Sequence, residues 1–204
     1  MNEIPILMNA FSVQAILDGR KTQTRRVIDP QPDPAWAFCA PRLIGDKWSF
    51  GVLQTSGFNQ QEWKSPYGQP GDRLWVREAW HLWSNATDWH VVSYSAEAEE
   101  NGATVTTHAV KCERELKVLE TRGSKAGRFM PREFSRITLE IVSVRVERVQ
   151  EISSGDCVAE GIHPDLSPFR KAEFHELWDS INAKRGYGWS ANPWVWAIEF
   201  ERVG

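Results

Sequence analysis

Between Arg136 and Gln150 the hydrophobic alternation changes phase, and this break limits what the chain can fold into. Ile137, Leu139 and Ile141 share one parity, whereas Val142, Val144 and Val146 share the other. Strand side chains alternate between faces with period two, so a regular strand cannot bury both sets on one side. A β-bulge or sharp bend at Ile141-Val142 reconciles them. Bent strands of this kind are used to close small barrels. The stretch Asn192 to Phe200 supplies another strand, with Trp194, Trp196, Ile198 and Phe200 on one face. A third starts at Arg73, opened by the turn Pro70-Gly71-Asp72, and is closed by Glu78. In it Leu74 and Val76 alternate with Arg73, Trp75 and Arg77. Ile4 to Met8 and Val91 to Tyr94 are further candidate strands.

Three helical stretches accompany the strands. Phe11 to Asp18 is a short helical pattern, and Gly19 stands where a left-handed C-terminal cap is expected. Ser153 with Asp156 three residues on reads as a capping box, and Gly161 as the C-terminal cap of the same short helix. Ser167-Pro168 is expected to start a longer helix striped by Phe174, Leu177, Trp178 and Ile181. Bent strands with a few helices packed between them predict an α+β domain with a small β-barrel core. At 204 residues the chain reads as one domain, 1–204, able at 41% hydrophobic residues to bury a real core. Proline and glycine interrupt 29–66, where Trp48 to Leu53 suggests a hairpin, and this region reads as an insertion covering the core. A second insertion, 95–128, is polar and weakly patterned; Thr104 to Thr107 and Leu116 to Leu119 are its ordered-looking pieces, and part of it is expected to act as a lid.

Other features exclude whole classes of function. The net charge of −3 implies no general polyanion-binding surface, so any nucleic-acid contact is a local patch. Cys39, Cys112 and Cys157 lie far apart without CxxC spacing, which suggests neither a zinc knuckle nor a disulfide framework and fits a reducing cytoplasm. No signal peptide or membrane span is expected. No Gly-x-Gly-x-x-Gly or P-loop is present, and no cofactor is expected. Eleven tryptophans read mainly as packing residues. His175 reads as structural, with no second ligand at metal spacing.

The stretch best suited to chemistry is Gly19-Arg20-Lys21-Thr22-Gln23-Thr24-Arg25-Arg26, four cations and two hydroxyls at a helix-to-strand corner. It is either a solvated basic turn or a set of side chains converging on a ligand. A threonine hydroxyl needs a base, and a lysine can be that base when burial or neighbouring cations lower its pKa. Glu160 ends a helix, where the dipole disfavours an anion, so it wants a cation from elsewhere. Lys21, Thr22, Thr24, Arg26 and Glu160 read as one site whose hydroxyl, amine and carboxylate together suffice for acyl transfer or amide hydrolysis, while a structural ion pair of Lys21 with Glu160 is the alternative. In a regular strand Lys21 and Thr24 face opposite sides, so convergence requires the chain to turn just after Gly19 or the lysine to curl back. Thr22, Thr24 and Arg26 share a face more easily. Glu78, closing its strand beside Trp80, reads as a salt-bridge partner for a nearby arginine.

These residues resemble the signature of ASCH domains, which pair a Gly-x-Lys-x-x-x-x-Arg motif with a PUA-like barrel. Gly19, Lys21 and Arg26 match that motif, and Gly71-Asp72-Arg73-Leu74-Trp75-Val76 resembles the family's Gly-Asp strand opening. Ile152 to Gly161 is similar to the helix that carries its acidic residue, and Trp196 to Phe200 to its last strand. The overall pattern is similar to the larger ASCH proteins of phages and prophages. Small bacterial members include an amidohydrolase that removes the acetyl group from N4-acetylcytidine. The resemblance implies that Thr24 is the nucleophile, Lys21 the base and Glu160 the proton-transfer partner, without metal. Arg26, Thr22, Arg25, Trp75 and Glu78 are the candidate substrate-binding residues, and the implied partner is a modified cytidine nucleoside or RNA. Two other readings stand beside it: an RNA-binding module using Arg20, Lys21, Arg25, Arg26 and exposed tryptophans, and a phage regulator that binds a host protein.

Overall fold

A computed structural model of the chain describes residues 1–33, 41–54, 57–85, 89–97, 107–111, 123–164 and 169–203. The strand with the phase break, β11 (Thr138–Arg148), lies at the centre of a five-stranded sheet. The order is β1 (Glu3–Leu7), β6 (Arg73–Arg77), β11, β12 (Trp194–Arg202), β2 (Gln23–Val27). β1 and β6 are parallel and the other neighbours antiparallel. The bulge lies where the alternation changes phase: Ile141 pairs with Phe200 and Ser143 with Glu199, leaving Val142 as the extra residue, half exposed. Because of that one-residue slip, Leu139 and Ile141 before it and Val146 after it enter the same core. Ile6, Leu74, Val76, Trp196, Ile198 and Phe200 complete the inner face.

The sheet is rolled. Four strand spacings of about 4.8 Å would put the two edge strands roughly 19 Å apart in a flat sheet, beyond an arginine's reach. Yet Arg26 on β2 donates from Nη2 to the carbonyl of Leu7 on β1 at 2.6 Å. Helix α1 (Ala10–Leu17) connects these same two edges in sequence. Among the described residues no backbone ladder joins β1 to β2, so the architecture is α+β with a rolled, unclosed sheet.

Two smaller sheets and two helices surround it. The hairpin expected around Trp48 is formed by β4 (Lys47–Gln54) and β5 (Gly57–Trp63), extended by β3 (Arg42–Ile44). A four-stranded sheet orders β10 (Gly123–Lys125), β7 (Trp80–Asn85), β8 (Trp89–Tyr94) and β9 (His108–Lys111). It buries Trp80, Leu82, Val92 and Tyr94 with Met130 and Phe134. Helices α2 (Ser154–Ala159) and α3 (Arg170–Asn182) pack on the outer face of the rolled sheet, where Cys157, Phe174 and Trp178 meet Val195. No described helix is long and apolar enough to cross a membrane.

The expected start of α3 differs. The helix begins at Arg170 with Phe169 as its N-cap, and Ser167-Pro168 lie outside the described residues. Leu116 to Leu119 and Thr104 to Thr106 also lie outside them. Within the α3 stripe, Phe174 and Trp178 are buried, whereas Ile181 is exposed.

Candidate active site

The position of Lys21 is set by the end of α1. Asn9 caps the helix start, its side chain accepting from the Ser12 amide at 2.8 Å. The chain leaves the helix through Gly19 at φ +73°, a conformation that carries no Cβ penalty for glycine. The amides of Arg20 and Lys21 then both donate to the Ala15 carbonyl at 2.9 Å. The Thr22 amide donates to the Ala159 carbonyl at 2.8 Å, and β2 begins only at Gln23. Lys21 therefore precedes the strand, and the pleat does not dictate its direction. The turn after Gly19 that convergence required is present.

Glu160 is delivered by α2. Ser153 and Asp156 form the expected reciprocal capping box, Glu160 is the C-cap, and Gly161 follows at φ +102°. The unfavourable place of this carboxylate at a helix C-terminus is relieved by cations from a distant part of the chain. Lys21 Nζ donates to Glu160 Oε2 and to the Glu160 carbonyl, each at 2.7 Å. Arg25 Nη1 donates to Glu160 Oε1 at 3.2 Å. Arg25 is further held by Glu147 at 2.8 Å and Gln23 Oε1 at 2.5 Å, with Asp156 at 3.5 Å. Lys21, Thr24, Arg25 and Glu160 are all buried. Burial is the main influence on Lys21 and pulls its pKa below the ordinary lysine value. The Glu160 charge and hydrogen bond oppose that shift, and Arg26 and Arg25 reinforce it.

A cavity of about 430 Å³ is bordered by Lys21, Thr24, Arg25, Arg26 and Glu160 together. β2 is an edge strand, and this explains how neighbouring positions of opposite parity reach one space. Thr24 and Arg26 pair with Ile198 and Trp196 and share their core-facing side. Arg25 pairs with Ala197 and turns to the outer face, 5.9 Å from the Phe174 ring. The cavity wraps the free edge between them, walled by Leu7 and Met8 at the end of β1 and by Phe174, Leu177 and Trp178 of α3. Among the described residues nothing is hydrogen-bonded to the Thr24 hydroxyl. Arg26 uses Nη2 on Leu7 and on the Met8 sulfur, while its buried Nε has no hydrogen-bond partner.

Thr22, Trp75 and Glu78 do not border this cavity. Thr22 is exposed and serves through its backbone, its carbonyl accepting from the Phe200 amide at 2.9 Å. Trp75 faces away from the inner core, buried beside the guanidinium groups of Arg77 and Arg132 at 4.5 and 5.8 Å. Glu78 takes both its oxygens to Arg136, at 2.9 and 3.0 Å, the arginine partner expected for it. His175 bonds Asp179 at 3.0 Å and stacks on Trp189. Tyr67, Asn182 and Arg185 are among the cavity residues that escaped the sequence reading. Nothing in their local sequence marks them, since they reach the site only through the fold. Among the described residues no group of three or more His, Cys, Asp or Glu side chains could hold a metal ion.

This constellation supplies a free hydroxyl, an amine of lowered basicity, a carboxylate holding that amine, and an uncommitted buried N–H. No protein-family model matches the chain, and neither does any curated protein or solved structure.

Proposed function

We propose that the chain is an ASCH-type, PUA-like amidohydrolase that removes the acyl group from an N4-acylated cytosine, with Thr24 as nucleophile. One observation carries this reading. Lys21 and Glu160, 139 positions apart, meet at 2.7 Å on the border of a cavity that Thr24 also lines. The rolled sheet supports the barrel-like part of the proposal.

In the proposed reaction the neutral Lys21 amine takes the proton of the Thr24 hydroxyl as its oxygen attacks the acyl carbonyl carbon. Arg26, which also borders the cavity, supplies a cation that orients the polar substrate there. Collapse breaks the bond from carbonyl carbon to N4, and the departing amine takes the proton back from Lys21. This leaves an acyl ester on Thr24. Water, deprotonated by the same lysine, cleaves that ester and releases the carboxylic acid and free threonine. Glu160 keeps the amine aimed and offsets its charge while the proton resides on it. Burial of Lys21 lowers its pKa and so raises the share of the neutral amine at any given pH.

The test is release of cytidine from N4-acetylcytidine by purified protein. Turnover is expected in the natural chain and a loss of at least about a hundredfold in Thr24→Ala. Absence of turnover with every acylated cytosine tried sinks the proposal. The RNA-module alternative draws less support, because among the described residues only Trp83 is a substantially exposed tryptophan.

A further inference from the structure

The cations of the cavity divide into two sets. Lys21 and Arg25 are compensated, the first by Glu160 and the second by Glu147, Asp156 and Glu160. Arg26 and Arg185 are not. Among the described residues neither forms an ion pair. Arg26 spends Nη2 on a backbone carbonyl and a thioether, and its Nε is buried and unbonded. Arg185 stands exposed at the rim, donating from Nη1 to the neutral Asn182 Oδ1 at 3.2 Å. Tyr67 and Glu160 and, in the opposite sense, Arg185 lie near enough to Arg26 to act on it electrostatically, and Arg185 itself lies 5.6 Å from the Tyr187 ring. Among the described residues Glu160 is the one carboxylate on the cavity border, and both its oxygens are engaged.

Two guanidinium groups facing one space repel each other and cost desolvation unless an anion arrives. Guanidinium forks suit an oxyanion such as a phosphate, which accepts from several N–H donors at once. A phenol from Tyr67 adds one more donor. We propose that the ligand of this cavity carries a phosphate, so that the substrate is an acylated cytidine in the form of a mononucleotide, its phosphate held by Arg185 and Arg26. A cavity of this size lies in the range that small ligands fill, which favours a single nucleotide over a polymer. The identity of the base rests on the amidohydrolase reading above; the demand for an anion does not.

The experiment is calorimetric titration of cytidine and of cytidine 5′-monophosphate into the natural chain and into Arg185→Gln at one fixed salt concentration. Arg185 is exposed, so the variant is expected to fold. The monophosphate is expected to bind about ten times more tightly than the nucleoside, as for a hydrogen bond to a charged group, and this preference falls to roughly threefold or less in the variant. Equal affinities in the natural chain overturn the inference, and so does a preference untouched by Arg185→Gln. A cytidine hexanucleotide that binds more tightly than the monophosphate overturns the choice of a mononucleotide. Failure of the amidohydrolase reading is visible separately: no deacylation, with the Arg185-dependent preference intact, removes the reaction and leaves the phosphate site standing.

Discussion

Glu78 and Glu160 are both nearly inaccessible, at 2% and 4% exposure, and both are ion-paired. Their surroundings differ in kind. Glu78 gives both oxygens to the single guanidinium of Arg136, which itself lies over the Tyr94 ring at 4.1 Å. Glu78 lies behind the cavity wall, next to the lining residues Ala79 and Gly127, and does not itself border the space. Glu160 divides its oxygens between two cations, and one of them, Lys21, borders open space beside a free hydroxyl. Burial and pairing are therefore common to both carboxylates and do not by themselves mark either as functional. The useful criterion is whether the partner group still has something to do.

The strongest way to break this comparison is to neutralise each acid. In Glu160→Gln, turnover per folded molecule is expected to fall by about 10² to 10⁴, the range for a lost acid–base group. In Glu78→Gln it stays unchanged, although denaturant unfolding records a loss of about 1.5–3 kcal/mol from weakening the charged hydrogen bonds to the half-buried Arg136. Equal turnover losses in the two variants would erase the distinction.

A pH profile sharpens it. In the proposed reaction the working form of Lys21 is the neutral amine, so its population and the rate are expected to rise with pH. Its pKa is lowered by burial, which puts the midpoint of that rise below the free-lysine value of about 10.4. Glu160 opposes the lowering, so Glu160→Gln moves the midpoint of its residual activity further down, while Glu78→Gln leaves it in place. A midpoint that moves upward in Glu160→Gln contradicts the assignment.

The smallest effects come from two glycines with positive φ. A Cβ at Gly161 would lie 2.9 Å from the Ala15 Cβ and 3.4 Å from the Lys21 Cβ. Gly161→Ala is expected to cost about 1–3 kcal/mol and to lower turnover several-fold by displacing Lys21. At Gly186 a Cβ would meet nothing within 4 Å, so Gly186→Ala bears backbone strain alone and its turnover stays intact. Thermal melts with parallel rate assays separate the two.

Local periodicity made much of this legible in the sequence. The bulge at Val142 follows from a change of parity, and the capping box at Ser153 follows from two residue types three apart. Glu160 stood out because a helix end repels it, and its partners proved to be Lys21 and Arg25. What failed was the direction of individual side chains. Trp75 alternates correctly along β6, but parity alone does not say which side of a rolled sheet holds the cavity. Thr22 was grouped with Thr24 by strand parity, yet it precedes β2 and its side chain faces solvent. Tyr67 and Arg185 come from segments distant in sequence, and no local pattern brings them to the same wall.

Both amides that lead into the site hang from the Ala15 carbonyl in the last turn of α1. The helix therefore works as an index that fixes the angle at which the amine leaves the backbone. One residue inserted between Asn9 and Ala15 would advance that index by about 100° and 1.5 Å. β2 would keep its register with β12, and the sheet would assemble as before. The amine would then point elsewhere, so the length of this eight-residue helix is as fixed a requirement as the identity of the lysine it aims.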